Sequence, residues 1–209
     1  MTAVIDYGAG NLTSVLLALK FLGDDPVITD DPVILEQADR IIFPGVGSAA
    51  SGMEGLKQKN LDTALKKCCM QNKPLLAICL GMQMLLEFSE EDDGVNGLGL
   101  FPGKVKLFDF PPEQRIKVPH MGWNTVRQNE HVLWKNIPDN SAFYFVHSYY
   151  VSADNASDVA GVTEYGGFEF VSAVARKNLF AAQFHPERSG EMGLELLKNF
   201  LEWDGSSCC

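Results

Sequence analysis

The run Leu75-Leu76-Ala77-Ile78-Cys79-Leu80-Gly81-Met82-Gln83 decides how the rest of the chain is read. The apolar residues Leu75 to Ile78, introduced by Pro74, predict a buried strand, and the apolar spacing from Leu80 to Phe88 predicts a helix. Cys79 stands at the junction. A nucleophile on so sharp a turn needs small residues two positions before and after it, and Ala77 and Gly81 supply them, as in a nucleophile elbow. The first turn of the helix adds unpaired N–H groups and a positive dipole end, which stabilise negative charge on sulfur. For Cys79 alone, a buried structural thiol is an equal reading.

The same strand–turn–helix order recurs on the N-terminal side. Thr2 to Asp6 reads as a strand, Gly8-Ala9-Gly10 as a turn, and Leu12, Val15, Leu16, Leu19 and Leu22 recur at helical spacing. Arg40 to Pro44 predicts a second strand running into Gly45-Val46-Gly47, then a helix through Leu56, Leu61 and Leu65. Such alternation predicts an α/β fold with a parallel central sheet flanked by helices. The second half changes character: Lys104–Phe108, Trp123–Val126, Phe143–Val146, Val159–Thr163, Ser172–Ala175 and Leu179–Phe184 read as short strands, the last two joined by a Lys177-Asn178 hairpin turn. An antiparallel section is therefore expected there. A closing helix presents Met192, Leu196, Leu197, Phe200 and Leu201, with Ser189 as its N-cap. With no repeat or low-complexity linker, the 209 residues read as a single domain, with 205–209 as a flexible tail.

Composition narrows the classes of function. There are 17 Lys plus Arg against 27 Asp plus Glu, a net charge of -10, which argues against nucleic acid as a partner. The basic clusters Lys57–Lys59 and Lys66-Lys67 fit a solvated helical face. No stretch reaches the ~18 apolar residues of a membrane span, and the first residues lack a signal-peptide pattern, so a cytoplasmic location is expected. The 5 cysteines form no Cys-x-x-Cys and suggest neither a zinc site nor a disulfide framework. Gly8-Ala9-Gly10 departs from a dinucleotide fingerprint at Thr13. His131 reads as a surface residue.

His185-Pro186-Glu187 shifts the balance for Cys79. Residues two apart in an extended segment project to one side, so Glu187 can fix the tautomer of His185 while the other ring nitrogen faces a nucleophile. Thiol, imidazole and carboxylate are the parts of an acyl-transfer triad. Pro44-Gly45-Val46-Gly47 ends another core strand, where ligands bind in parallel sheets. An N–H from that loop, at Val46 or Gly47, together with the N–H of Leu80 could hold an oxyanion. A plain tight turn is the alternative for these glycines.

Together, Pro44-Gly45-Val46-Gly47, Cys79-Leu80-Gly81-Met82-Gln83 and His185-Pro186-Glu187 resemble the triad-type (class I) glutamine amidotransferases. Asp6-Tyr7-Gly8-Ala9-Gly10-Asn11-Leu12, Pro119-His120-Met121-Gly122-Trp123-Asn124 and Phe145-Val146-His147-Ser148-Tyr149-Tyr150 extend the resemblance to the glutaminase subunits of imidazole glycerol phosphate synthase. The resemblance implies a flavodoxin-like fold and hydrolysis of L-glutamine to glutamate and ammonia through a γ-glutamyl thioester. It implies Cys79 as nucleophile, His185 as acid and base, and Glu187 as orienter. Gly45, Gly47, Gln83, Ser148 and Tyr149 then hold glutamine. Ammonia passes to a (β/α)₈ cyclase subunit in a 1:1 heterodimer, which makes imidazole glycerol phosphate and aminoimidazole carboxamide ribotide. Asn11, Pro119, His120, Met121, Trp123, Asn124 and Arg188 would face that partner, Arg188 standing where a lysine is common. No metal or cofactor is implied. A glutaminase serving a pyridoxal phosphate synthase, a γ-glutamyl peptidase and a silent binding module are the competing readings.

Overall fold

The computed structural model describes residues 1–8 and 12–206. From the N-terminus, β1 (Thr2–Ile5), α1 (Leu12–Phe21), β2 (Val27–Thr29), α2 (Pro32–Gln37) and β3 (Arg40–Gly45) alternate strand with helix. Two helices follow, α3 (Ala49–Gln58) and α4 (Leu61–Met70), and then β4 (Leu75–Cys79) and α5 (Leu80–Met84). The single helix expected through Leu56, Leu61 and Leu65 is thus two, because Asn60 takes a left-handed conformation (φ 57°, ψ 22°) between them.

The remainder is rich in strands: β5 (Leu86–Ser89), β6 (Val95–Asn96), β7 (Phe101–Leu107), β8 (His120–Gln128), β9 (Ser141–His147), β10 (Tyr149–Ala153), β11 (Val159–Tyr165), β12 (Phe168–Arg176) and β13 (Leu179–Ala182). α6 (Gly190–Glu202) closes the fold. The helix expected from Leu80 to Phe88 stops at Met84, because Leu86–Ser89 leaves it to pair with β7 and β6. The Lys177-Asn178 hairpin turn is present, with Arg176 opposite Leu179.

Strand order explains how distant segments meet. β2-β1-β3-β4-β13 is a parallel sheet, and β12, β10 and β7 extend it with antiparallel pairings. β11 joins β12 to β8, which pairs antiparallel with β9. The parallel core and antiparallel second half are therefore as the sequence predicts.

Both faces of the parallel sheet are covered, and residue parity shows it. Ala3, Ile41, Phe43, Leu75, Ala77 and Ala181 point to one core with Leu35, Leu56, Leu61 and Leu65 of α2–α4. Their neighbours Val4, Ile42, Leu76, Ile78, Phe180 and Ala182 point to the other, with Val15 and Leu19 of α1 and Leu196, Leu197 and Phe200 of α6. Period-two alternation between two apolar cores makes these strands apolar throughout. Among the described residues no helix is long and apolar enough to cross a membrane.

Residues 205 and 206, expected to begin a tail, are held against the fold. Gly205 is buried beside Asn72, Pro74 and Asn178, and the carbonyl of Ser206 accepts the Trp203 indole N–H at 2.8 Å. Residues 207–209, with Cys208-Cys209, lie outside the described residues, as does Asn11.

Candidate active site

Register brings the chemistry together. Gly45 of β3 lies opposite Cys79 of β4, and on the other side of β4 Ala182 lies opposite Ile78, so that Gln183 to His185 emerge next to Cys79. All three strands are parallel and present their C-terminal ends, the edge where a parallel sheet binds ligands. Cys79 turns the chain with φ 55° and ψ -110°, and the first residue of α5 follows directly. Gly81 is required sterically: a Cβ there would lie 2.0 Å from the Phe43 carbonyl oxygen.

His185 Nδ1 is 2.8 Å from Glu187 Oε1, and both side chains are buried. A carboxylate only accepts, so Nδ1 carries the proton it donates, and Nε2 is the position that exchanges a proton with the cleft. Nε2 is buried without a hydrogen-bond partner, while the Cys79 thiol is directed at the Val146 carbonyl, 4.0 Å away. Burial by itself would lower the His185 pKa. The electrostatic influence of the neighbouring Cys79, together with Glu187, outweighs it and pushes it up to about 10.

A cleft of about 420 Å³ opens over this pair. Val46, Gly47, Leu80, Gln83, Ser148 and Tyr149 line it, together with Cys79, His185, Glu91, Pro119, Val146 and His147. Gly45 does not line it: it is buried beneath, where a side chain would strike the Tyr7 hydroxyl. Gln83 donates both amide hydrogens, to the Tyr149 carbonyl and to Gln183 Oε1, each at 3.0 Å.

The segment expected to face a partner divides by strand parity. Met121 and Trp123 are exposed, as is Pro119, whereas His120 is buried and points inward. His120 stacks between Phe145 and Tyr165 and bonds to His147 through Nδ1 at 3.0 Å, so it offers no surface to a partner. Asn124 is half-buried and turns its amide towards His120 Nε2, at 3.3 Å. Arg188 is exposed, with its guanidinium 5.3 Å from the centre of the Tyr144 ring. His131, expected on the surface, is half-buried; it packs on Phe180 and Trp203, and its ring accepts the Leu133 N–H at 3.2 Å. Glu91 and Gln183 are additions that no motif announces; His120 and His147 lie in quoted motifs, and only their pairing is new. Among the described residues no group of three or more His, Cys, Asp or Glu is placed to hold a metal ion.

A cysteine on an elbow beside a histidine–carboxylate pair, at the C-terminal edge of a parallel sheet, is an arrangement able to perform acyl transfer. The family model Glutamine amidotransferase class-I matches residues 3–203. Among curated proteins, the Imidazole glycerol phosphate synthase subunit HisH of Acinetobacter baylyi is 49% identical over 204 residues, covering 97% of this chain and 98% of that protein. The HisH 1 protein of Pseudomonas aeruginosa is 50% identical over 208 residues, covering 97% of each. The chain belongs to the class-I glutamine amidotransferase family and, within it, to the HisH subunits. A crystal structure of a glutamine amidotransferase shares the fold with a TM-score of 0.74 at 17% identity, covering 97% of this chain and 98% of that one. A chain of the PurLQS structure from Thermotoga maritima superposes with a TM-score of 0.72 at 17% identity, over 96% of this chain and 97% of that one.

Proposed function

We propose that this chain hydrolyses L-glutamine to L-glutamate and ammonia as the glutaminase subunit of an imidazole glycerol phosphate synthase. The observation that carries the reading is the free, buried Nε2 of His185 beside Cys79 at the floor of a cleft. Near-full-length identity to HisH subunits supports it over a pyridoxal phosphate synthase glutaminase or a γ-glutamyl peptidase.

In this mechanism His185 Nε2 already holds the proton it shares with Cys79, as its raised pKa implies, and the sulfur attacks the side-chain amide carbon. The Leu80 N–H and an N–H of the Val46-Gly47 loop hold the oxyanion. When the intermediate collapses, the C–N bond breaks and His185 returns the proton to the departing ammonia. Water then attacks the thioester with His185 as base, releasing glutamate and restoring the thiol. Glu187 holds the imidazole so that Nε2, not Nδ1, does this work. Gln83, Ser148 and Tyr149 hold the substrate, and Glu91 places a carboxylate in the cleft wall for its ammonium group.

Ammonia goes to a cyclase subunit, which we propose is a (β/α)₈ barrel bound one to one in the cytoplasm. It docks on the rim formed by Pro119, Met121, Trp123 and Arg188, next to the cleft mouth. The chain mixed with a HisF-type cyclase and its nucleotide ligand is expected to release glutamate. Cys79→Ala should lower that rate by about 10³-fold or more; a variant that keeps the wild-type rate overturns the proposal.

A further inference from the structure

Gln183 is fully buried, yet both ends of its amide are used, for different purposes. Oε1 accepts a hydrogen from Gln83 Nε2 at 3.0 Å, and Nε2 donates to Cys79 Sγ at 3.6 Å. The amide orientation follows from its surroundings. The Tyr149 carbonyl can only accept, so Gln83 must turn its NH₂ that way, and its second hydrogen leads to an oxygen on Gln183. A flipped Gln183 would set two donors against each other and leave the sulfur facing an oxygen.

The chain of bonds continues behind Tyr149. Its carbonyl also accepts from His147 Nδ1 at 2.8 Å; His147 Nε2 accepts from His120 Nδ1 at 3.0 Å, and His120 Nε2 accepts from Asn124 at 3.3 Å. With both rings neutral, every donor has one possible direction. The network therefore anchors Gln83, and through it Gln183, to the buried side of β8.

We propose that Gln183 is a positioning residue: its amide N–H fixes the Cys79 sulfur on the His185 side of the cleft and stabilises negative charge there. The proposal rests on Cys79 being the nucleophile of the glutaminase reading. Position supports it, because Gln183 follows β13 directly and precedes His185 by two residues, so both leave the sheet next to Cys79 at the end of β4.

Gln183→Glu separates this role from a structural one. It keeps the shape and the oxygen that accepts from Gln83, but replaces the N–H on sulfur with a charged oxygen. Iodoacetamide alkylation of Cys79 in the free chain, followed by mass spectrometry of the Cys79 peptide across pH 6–10, is the measurement. We expect Q183E to alkylate roughly tenfold to a hundredfold more slowly near neutral pH, with the rate profile displaced to higher pH. In the complex with the cyclase, kcat should fall while KM is kept. Gln183→Met, which adds no buried charge, should move the profile in the same direction and serves if Q183E does not fold. A wild-type alkylation profile in a folded variant overturns the proposal, whatever happens to its melting temperature. Alkylation needs neither glutamine nor partner, so a chain that alkylates at Cys79 but releases no glutamate would refute the glutaminase reading and leave this test intact.

Discussion

Cys79 holds a backbone conformation, φ 55° and ψ -110°, that costs a residue with a side chain about 1–3 kcal/mol. Such strain persists only when the surroundings over-determine it, and here β4 is paired on both sides while α5 begins at once. Gly81 permits the turn because the Phe43 carbonyl occupies the space of its missing Cβ, 2.0 Å away. Gly81→Ala should therefore push α5 off β3 and cost on the order of 2–3 kcal/mol. Chemical denaturation would read that loss, and Cys79 alkylation should slow with it; unchanged values of both would show that the elbow has slack. At this scale the sequence is legible in Ala77 and Gly81 around Cys79; His185 and Glu187 pair as expected, but across a 3₁₀ turn over Pro186–Arg188 rather than along the extended segment the spacing suggests. Gln183 is not legible, since a glutamine ending an apolar strand looks the same whether its amide meets sulfur or solvent. Glu91 is hidden too, because it reaches the cleft from a loop between two short strands.

Elements hold the imidazole in place, and the junction of β9, the His185 turn and α6 does most of this. His185 N–H donates to the Tyr144 carbonyl at 2.9 Å, and Tyr144 N–H donates to Ser189 Oγ at 2.9 Å. Ser189 Oγ in turn donates to the His185 carbonyl at 2.6 Å. The residue expected to cap α6 with its side chain thus spends its hydroxyl closing a ring between β9 and the catalytic turn, and makes no cap bond. Ser189→Ala would leave the part-buried Tyr144 N–H without its partner, costing about 1 kcal/mol. Because the ring fixes His185, kcat should also fall several-fold; a melting-temperature loss with kcat intact would assign Ser189 to stability alone. Strand parity is the most readable feature of this scale, and it fails where a pattern serves two structures. Leu80 to Phe88 has helical spacing, but Leu86 and Phe88 find better partners across the sheet in Phe101 and Lys104. β10 is missed for a related reason: Tyr149 to Ala153 is half-buried and carries no turn signal separating it from β9.

The whole molecule carries 4 histidines, and burial divides them into two electrostatic types. His120 and His131 are pushed down to about 4 and His147 to about 3, in each case chiefly because burial disfavours the imidazolium. His185 is also buried, but Cys79 and Glu187 reverse the outcome and raise it to about 10. The signs of the two effects on stability are opposite. For the first three, the unfolded chain binds protons near pH 6.5 while the folded chain refuses them, so stability is complete above pH 6.5 and is lost as pH falls towards 4. For His185, the folded chain holds its proton longer, so the contribution is complete below pH 6.5 and is lost as pH rises towards 10. Stability should then pass through a maximum near pH 6–7. On the acid side each neutral histidine should cost about 1 kcal/mol by pH 5.5. Urea unfolding across pH 4–10 would trace both limbs. Cys79→Ala should flatten the alkaline limb, because the sulfur is the first influence that opposes desolvation at His185. NMR of the imidazole rings assigns the effect: three resonances should stay neutral down to pH 5 while the fourth is still protonated at pH 8. Four rings titrating together near pH 6.5 would mean that neither the buried network behind Tyr149 nor the Cys79–His185 pair has the electrostatic character its packing implies.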